Sequence, residues 1–185
     1  MSYSTPLTST TKYGVVKVGS GIQVSDGVIS ASSSGSRDVG YFYSSLTQTN
    51  AAQVNTVTLT NTTLSQGVTL VNNSQMTVSK TSNYSLDLMI QFTKADASGQ
   101  AARGFFWLRK NGIDVPDSSS DLITTTAGAG TIGSWTYTLP MNAGDYLQMV
   151  WYSSAANAIL IAIPAQAGPP IIPLTPSVRI TLLEV

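Results

Sequence analysis

Cysteine and histidine are both absent from this 185-residue sequence. Their absence removes the thiolate nucleophile, the disulfide bond and the side chain that titrates near neutral pH. Zinc sites almost always use Cys or His ligands, so neither structural nor catalytic zinc is predicted. Without a covalent or metal crosslink, stability has to come from packing, backbone hydrogen bonds and oligomerisation. We therefore expect no enzymatic activity, no cofactor and no bound metal.

Charge is also scarce. Charged residues make up 10% of the chain, and nine Lys and Arg balance nine Asp and Glu. Nucleic-acid binding needs clustered cations that displace counterions from phosphate, and the sequence contains no basic run. It also contains no apolar span of about 18 residues and no basic segment followed by an apolar one. The sequence thus predicts no nucleic-acid partner, no transmembrane helix and no secretion signal.

The strongest local signal lies in residues 103–116, where Asn111-Gly112 separates two apolar segments. A two-residue type I′ turn needs positive φ at both central positions, and Asn followed by Gly adopts it most readily, so a β-hairpin is predicted. Period-2 alternation gives the incoming strand heavy side chains on both faces, Phe106 and Leu108 on one and Phe105, Trp107 and Arg109 on the other. We expect this strand to be covered on both faces, by the core or by a subunit interface.

Strand signals recur about every ten residues from Asp38 onward, and the gaps between them are rich in Gly, Asn, Asp, Ser and Pro. The ten predicted strands cover residues 39–44, 54–59, 68–71, 76–79, 84–93, 104–110, 132–139, 146–152, 158–163 and 178–183. No amphipathic segment of helical period reaches two turns. The pattern predicts an all-β sandwich or jelly roll.

The chain divides by composition into residues 1–37 and residues 38–185. Residues 1–11 are a polar lead, and residues 13–30 contain three very short β pieces broken by glycine turns. Residues 31–37 have the composition of a flexible linker. We interpret residues 1–37 as an extended arm with an attachment module and linker, followed by one β domain.

The arm carries the first resemblance to known proteins. From Gly14 to Ser30 the sequence reads Gly-Val-Val-x-Val-Gly-x-Gly-Ile-x-Val-x-Asp-Gly-x-Ile-Ser. This pattern resembles the short N-terminal modules that attach structural proteins of tailed bacteriophages to the particle, in both tail fibres and head-surface proteins.

The domain carries the second resemblance, in three segments. They read Arg109-Lys-Asn-Gly-Ile-Asp-Val-Pro-x-Ser118, Leu139-x-x-x-Ala-Gly-Asp-Tyr-Leu147 and Pro176-Ser-Val-x-Ile180. Together they resemble the C1q/TNF-like jelly roll found in phage virion proteins. The resemblance implies a ten-stranded jelly roll that assembles as a homotrimer. The sequence lacks the collagen-like stem and signal peptide of animal members, which argues against an extracellular animal role.

Two functions are compatible with this resemblance. The first is a homotrimeric capsid decoration (cement) protein on the outer surface of the virion head, bound to the major capsid protein through its arms. The alternative is a short tail-fibre or head-fibre tip that binds a host-surface receptor or glycan. The linker of about six residues leaves no room for a fibre shaft, which favours decoration, while a weak contact of outward loops with the host surface stays open. Copy number per virion separates the two functions.

The candidate residues follow from these interpretations. The predicted capsid-binding residues of the arm are Tyr3, Leu7, Tyr13, Val15, Val16, Val18, Ile22 and Val24. In residues 146–152, alternation places Leu147, Met149 and Trp151 on one face. In a monomer the opposite face would be exposed to solvent, whereas a threefold assembly would bury it. Its residues are therefore the predicted trimer interface: Tyr146, Gln148, Val150 and Tyr152.

Two further segments have competing interpretations. Asp114, Asp117 and Asp121 are the only acidic cluster, and some C1q-like domains bind calcium through loop carboxylates. Their spacing is not that of a dedicated calcium loop, so we favour turn-capping residues at a solvated hairpin exit over a calcium site or a catalytic pair. The proline-rich residues 164–176 predict either a receptor-contact tip or, preferably, a loop packed over one end of its own trimer.

Overall fold

The structure is a computed structural model that describes residues 22–25, 28–31, 35–50, 52–97, 99–128 and 130–185. These residues form sixteen strands and no helix. In chain order the strands are β1 (Ile22–Ser25), β2 (Val28–Ala31), β3 (Val39–Ser44), β4 (Gln48–Thr49), β5 (Asn55–Thr56), β6 (Asn61–Gln66), β7 (Val68–Val71), β8 (Gln75–Val78), β9 (Ser82–Lys94), β10 (Ala102–Lys110), β11 (Ile113–Asp114), β12 (Ser120–Thr124), β13 (Thr131–Met141), β14 (Tyr146–Ser153), β15 (Ala158–Leu160) and β16 (Val178–Glu184).

The chain separates into two compact units, Met1–Ser36 and Arg37–Val185. In the first unit, β1 and β2 pair antiparallel, with Ile22 opposite Ala31 and Ser25 opposite Val28. The third β piece predicted for the arm falls outside the described residues.

The second unit consists of two antiparallel sheets of seven strands each among the described residues. One sheet, called here the β14 sheet, has the order β11-β10-β14-β8-β7, with β12 beside β10 and β5 beside β14. The other, the β9 sheet, has the order β4-β15-β9-β16-β3-β6, with β13 beside β9. The predicted all-β sandwich is therefore confirmed.

The core lies between the two sheets because their strands alternate between buried and outward side chains. On β9 the inward residues Leu86, Leu88 and Ile90 are at most 2% exposed. At the centre, the Phe106 ring stacks on Trp151 at an interplanar angle of 10°, and Phe92 meets Phe106 edge-on at 5.6 Å between centroids. Burying each such aliphatic or aromatic side chain contributes about 1.5–3 kcal/mol.

The predicted Asn-Gly turn is present. Asn111 and Gly112 have φ angles of 51° and 81°, and Lys110 on β10 pairs with Ile113 on β11. Both central residues have the positive φ that a type I′ turn requires.

Some strand boundaries differ from the prediction. Of residues 54–59, only Asn55–Thr56 forms a strand, whereas β4, β6 and β12 were missed. These three strands are largely polar and half-buried or exposed. Each pairs with a single neighbour: β4 with β15, β6 with β3 and β12 with β10. Edge strands of this kind lack the apolar alternation by which strands are detected in a sequence.

Candidate intersubunit interface

The outward side of the β9 sheet carries two rows of side chains brought together from four strands. We call it the Arg179 face. Strand register aligns the first row as Tyr43, Arg179, Met89 and Ser134, and the second row as Tyr41, Thr181, Asp87 and Thr136. On the opposite side of the same strands, Phe42, Ile180 and Leu88 lie in the core.

The Arg179 face combines aromatic side chains with an arginine whose Nε atom lacks a hydrogen-bond partner. The Tyr41 and Tyr43 rings lie 6.4 Å apart, and their side chains are half-buried. Among the described residues, Arg179 Nε is the only buried side-chain nitrogen or oxygen without a hydrogen-bond partner. A buried donor left unsatisfied costs about 1–3 kcal/mol, and this atom has less than 1 Å² of accessible surface, so the cost falls within the domain and the tyrosines are the part of this face open to a partner.

A concavity of about 180 Å³ lies on this face, lined by Tyr41, Met89 and Arg179 among other residues. The neighbouring carboxylate of Asp87 accepts a 2.7 Å hydrogen bond from Thr136 and stays exposed at the surface. Aromatic and Arg side chains with few competing charges are typical of the centre of protein–protein interfaces.

The predicted β14 interface is only partly accessible. Val150 is completely buried within a single chain, flanked in register by Trp107 on β10 and Thr56 on β5. The prediction that Val150 would be exposed to solvent in a monomer is therefore wrong, because residues on the neighbouring strands of the same sheet cover its side chain. Tyr146, Gln148 and Tyr152 are half-buried, and their role in an interface stays a prediction.

The aromatic residues of β10 are also less covered than expected. Phe106 and Leu108 are buried as predicted, but Phe105 on the opposite face is 36% exposed. Phe105 pairs in register with Tyr152, and the guanidinium of Arg103 lies 5.1 Å from its ring centroid. Arg103 also donates a 2.7 Å hydrogen bond to Asp121, so its charge is balanced within the chain.

The acidic residues do not converge. Asp114 accepts a 2.8 Å hydrogen bond from Arg109 Nε, and this bond together with one from the Trp107 side chain lowers the pKa of Asp114. Asp121 pairs instead with Arg103, and Asp117 occupies a turn position with φ of 58°. No group of three or more acidic side chains suited to a metal ion occurs in the part of the chain that the structure describes.

A buried polar cluster was not predicted. We call it the Asp38 clamp, and it lies where Arg37–Val185 begins. The Asp38 carboxylate is 3% exposed and accepts hydrogen bonds from Ser79 Oγ at 2.7 Å and Tyr84 Oη at 2.9 Å. Lys80 Nζ lies 3.2 Å from both Asp38 and Glu184, and the Asp38 amide donates to Glu184 at 2.8 Å. The first residues of the domain are thereby fixed to its last strand.

The clamp shifts the pKa values of its members. Burial raises the pKa of Asp38, but the hydrogen bonds from Ser79 and Tyr84 and the ion pair with Lys80 outweigh it, so the pKa lies below the ordinary value. Burial and the Asp38 carboxylate raise the pKa of the Tyr84 hydroxyl. The amide of Asp38 and the Lys80 ammonium lower the pKa of Glu184. The clamp therefore holds two carboxylates ionised beside one lysine at neutral pH.

The arm residues Tyr3, Leu7, Tyr13, Val15, Val16 and Val18 lie outside the described residues. Ile22 and Val24 belong to β1, where they pair in register with Ala31 and Ile29. Their predicted contact with a capsid stays a prediction. Within the described ranges there is no helix with the length and hydropathy needed to cross a membrane.

Sequence reasoning missed Arg179, Tyr41 and Tyr43 as interface residues. One signal was present: Arg179 is the first charged residue after Asp145, at the end of a stretch of 33 uncharged residues. Tyr41 and Tyr43 alternate with Gly40 and Phe42, which marks an outward aromatic face on β3.

No protein-family model and no curated protein sequence matches this chain. Among solved structures, murine APRIL matches at 12% identity, with 80% of this chain and 99% of that chain covered and a TM-score of 0.50. The Eiger TNF from S. frugiperda matches at 11% identity, with 80% and 92% covered, but its TM-score of 0.46 is too low to support an argument. At such identity the likeness to murine APRIL concerns the fold alone. Together with the two antiparallel sheets, it shows that residues 37–185 form a TNF-like jelly roll, as the sequence predicted.

Proposed function

We propose that this chain is a homotrimeric capsid decoration protein of a tailed bacteriophage, bound to the major capsid protein through its N-terminal arms. The proposal is supported by the TNF-like jelly roll and by the resemblance of residues 14–30 to phage attachment modules. The scarcity of charge and the absence of Cys and His favour a structural role over an enzymatic one.

The observation that carries the proposal is the Arg179 face. Its half-buried Tyr41 and Tyr43 and the concavity that they line together with Arg179 form an aromatic surface that a second copy of the chain would cover. When one patch of each copy binds a different patch of the next copy, the copies close into a ring if the rotation between them is a whole fraction of a turn. A rotation of 120° gives a trimer. We therefore place the trimer contact on the β9 sheet rather than on the predicted β14 face.

Two matched substitutions distinguish the faces. Tyr43→Asp introduces a charge on the Arg179 face, and Tyr152→Asp does the same on the β14 face, and both tyrosines are half-buried on the outer side of a strand. Sedimentation of the full chain at micromolar concentration should show a trimer for the wild type and for Tyr152→Asp, and smaller species for Tyr43→Asp. Smaller species for Tyr152→Asp and a trimer for Tyr43→Asp would show that the contact lies on the β14 face. A monomeric wild type would refute the trimer.

Attachment is assigned to the arm because its apolar residues occur in pieces too short to form a core of their own. Such strands gain stability by adding to the edge of another sheet, where backbone hydrogen bonds give affinity. Three arms on one trimer act together, since binding of the first raises the effective concentration of the others toward millimolar. Residues 1–36 carry only two cations, Lys12 and Lys17, so attachment should survive moderate salt.

The test mixes particles that lack the protein with the full chain or with a chain that starts at Arg37, and then pellets the particles in raised salt. Circular dichroism and sedimentation first establish that the shortened chain folds and assembles. The full chain should pellet with the particles and the shortened chain should stay in solution. Equal co-sedimentation would show that the body of the trimer, not the arm, carries attachment.

One observation favours the alternative function, a fibre tip that binds a host-surface glycan. Phe105 and Tyr152 form an exposed aromatic surface beside the Arg103–Asp121 ion pair, and sugar rings stack on such surfaces while their hydroxyls bond to the charged groups. Counting chains per virion decides between the two. Hundreds of copies support decoration, and a few dozen or fewer support a fibre.

A further inference from the structure

A cleft of about 420 Å³ lies between β4 of the β9 sheet and β5 of the β14 sheet. We call it the β4–β5 cleft. Residues of both strands line it, and so does Trp151, which is 1% exposed, so the cleft reaches down to the edge of the core. Its volume falls within the roughly 300–1,000 Å³ that is typical of small-molecule sites.

The walls of the β4–β5 cleft are held in place by side-chain amides. Gln48 accepts a 2.8 Å hydrogen bond from the Thr58 amide and donates a 3.0 Å bond to the Thr58 carbonyl, which ties β4 to the segment that follows β5. Asn50 is 8% exposed and donates to two backbone carbonyls at 2.7 and 3.0 Å. Its Oδ1 accepts a 2.8 Å bond from Asn55 Nδ2. The cleft is therefore formed before any ligand binds.

The exposed polar side chains of the cleft have hydrogen-bonding capacity to spare. Thr49, Thr56 and Thr58 are exposed, and their hydroxyls make no hydrogen bond to any residue that the structure describes. The same holds for the side-chain amide of Gln53. Hydroxyl and amide groups both donate and accept hydrogen bonds, so they suit a ligand that is rich in hydroxyls.

Charge selects against an ionic ligand. None of the residues that line the cleft is charged. A phosphate, sulfate or carboxylate is usually held by Arg, Lys or clustered N–H donors, and an ammonium group by carboxylates. The lining therefore favours a neutral ligand.

The backbone and the rim favour a carbohydrate over a peptide. Extended peptides bind mainly by pairing with a free strand edge. Here the Gln48 side chain occupies both backbone groups of Thr58, and the Val57 amide donates to a carbonyl of β14 at 2.9 Å, so this wall has few backbone groups left to pair. Leu46 and Val54 on the rim are 54% and 47% exposed. Apolar side chains of this kind can pack against the C–H face of a sugar ring while its hydroxyls bond to the polar walls.

We propose that the β4–β5 cleft binds a short, neutral carbohydrate. The threonine hydroxyls and the Gln53 amide bond to the sugar hydroxyls, and the two apolar side chains of the rim cover the C–H face. No lining residue belongs to the Arg179 face, to the predicted β14 interface or to the Phe105–Tyr152 aromatic surface. Binding in this cleft therefore depends neither on the proposed trimer nor on attachment to a capsid.

Saturation-transfer difference NMR on the full chain tests the site with three neutral disaccharides, lactose, maltose and cellobiose, at millimolar concentration. At least one should give a signal, and the uncharged peptide N-acetyl-trialanine amide should give none. The double variant Thr49→Val with Thr58→Val removes two hydroxyls and keeps the side-chain shape, so it should weaken binding about tenfold. The matched control Thr62→Val with Thr69→Val changes two exposed threonines on β6 and β7 and should leave binding unchanged.

A substitution that fills the cleft gives a second measurement. Val54→Trp should abolish the signal, whereas Val71→Trp, at a similarly exposed valine on β7, should not. Circular dichroism first establishes that each variant is folded. The absence of a signal from all three disaccharides, or binding of the peptide in their place, would overturn the proposal. So would loss of binding in Phe105→Ala together with full binding in Val54→Trp, because the sugar would then lie on the aromatic surface of β10 and β14.

Discussion

Replacing Asp38 by alanine tests whether the buried clamp stabilises the jelly roll. Asp38 Oδ2 accepts hydrogen bonds from Ser79 Oγ at 2.7 Å and Tyr84 Oη at 2.9 Å, and Oδ1 lies 3.2 Å from Lys80 Nζ. Alanine removes these three interactions and a fourth, the 3.2 Å hydrogen bond that the Ser79 amide donates to Oδ2. It leaves the Tyr84 hydroxyl, in a residue that is 0% exposed, with only its bond to the Lys80 carbonyl.

The expected loss of unfolding free energy follows from how deeply each interaction of Asp38 is buried. Hydrogen bonds to a charged group contribute about 1.5–3 kcal/mol each, and two of the four interactions, those with Ser79 Oγ and Tyr84 Oη, are short and largely shielded from water. The Lys80 side chain is 40% exposed, so its ion pair adds less than about 1 kcal/mol. We expect Asp38→Ala to lower the free energy of unfolding by about 3–5 kcal/mol. Tyr84→Phe, which removes one hydrogen bond, should cost about 1–2 kcal/mol.

Denaturant unfolding of the full chain at fixed protein concentration measures these differences. The matched control is Asp121→Asn, which breaks a 2.7 Å ion pair with Arg103 whose Asp121 side chain is 39% exposed. An exposed pair of this kind contributes about 0–1 kcal/mol, so the control should change stability little. A loss for Asp38→Ala no greater than that for Asp121→Asn would refute the reasoning.

The clamp also predicts a pH dependence of known sign. Folding lowers the pKa of Asp38, since its hydrogen bonds and Lys80 together outweigh burial, and the group therefore contributes stability above its unfolded pKa of about 3.9. That contribution is lost as the pH falls through the lower folded value. The difference in melting temperature between wild type and Asp38→Ala should be constant near neutral pH and shrink below about pH 4. A difference that stays constant down to pH 2 would contradict the assignment.

Two glycine substitutions test backbone geometry. Gly112→Val should cost about 1 kcal/mol or more in thermal stability, because a β-branched residue at φ of 81° is strained, whereas Ile113→Val next to it should be nearly neutral. An unchanged midpoint for Gly112→Val would show that the turn tolerates a side chain. Gly67→Ala should cost about 2 kcal/mol or more, because φ is 69° and the added Cβ would overlap the Asp38 carboxylate. Gly99→Ala, which has open space around it, serves as its control, and equal effects would contradict the overlap.

Local chemistry was readable from the sequence. Asn111-Gly112 encodes its own turn, since the two residues tolerate positive φ irrespective of the rest of the fold. Alternation placed Phe106 and Leu108 on one face of β10, and it placed Leu147, Met149 and Trp151 on one face of β14. All five are buried, because a side chain's direction in a strand depends only on its position in the pleat. The all-β sandwich follows from many such strands and turns in order, whereas the TNF-like jelly roll was predicted from the resemblance of three segments of the domain to that family.

Which side chains remain open on each outward face was decided only by the tertiary structure. Val150 alternates like an interface residue, yet Trp107 and Thr56 flank it from strands separated from it by many residues in sequence. Arg179 looks like an ordinary surface cation until Tyr43 and Met89 are placed beside it and its Nε is seen to lack an acceptor.

The Asp38 clamp could not be predicted from the sequence either, because its members are far apart along the chain. Its carboxylate meets Ser79, Tyr84 and Glu184 across sequence separations of 41, 46 and 146 residues. A lone Asp after a Ser-rich linker resembles a solvated turn residue in sequence, because the pattern records neither burial nor distant hydrogen-bond donors. The sequence by itself determined the apolar strands, the Asn-Gly turn and the fold class. Only the packing of the two sheets decided which polar groups are buried together and which remain without a partner.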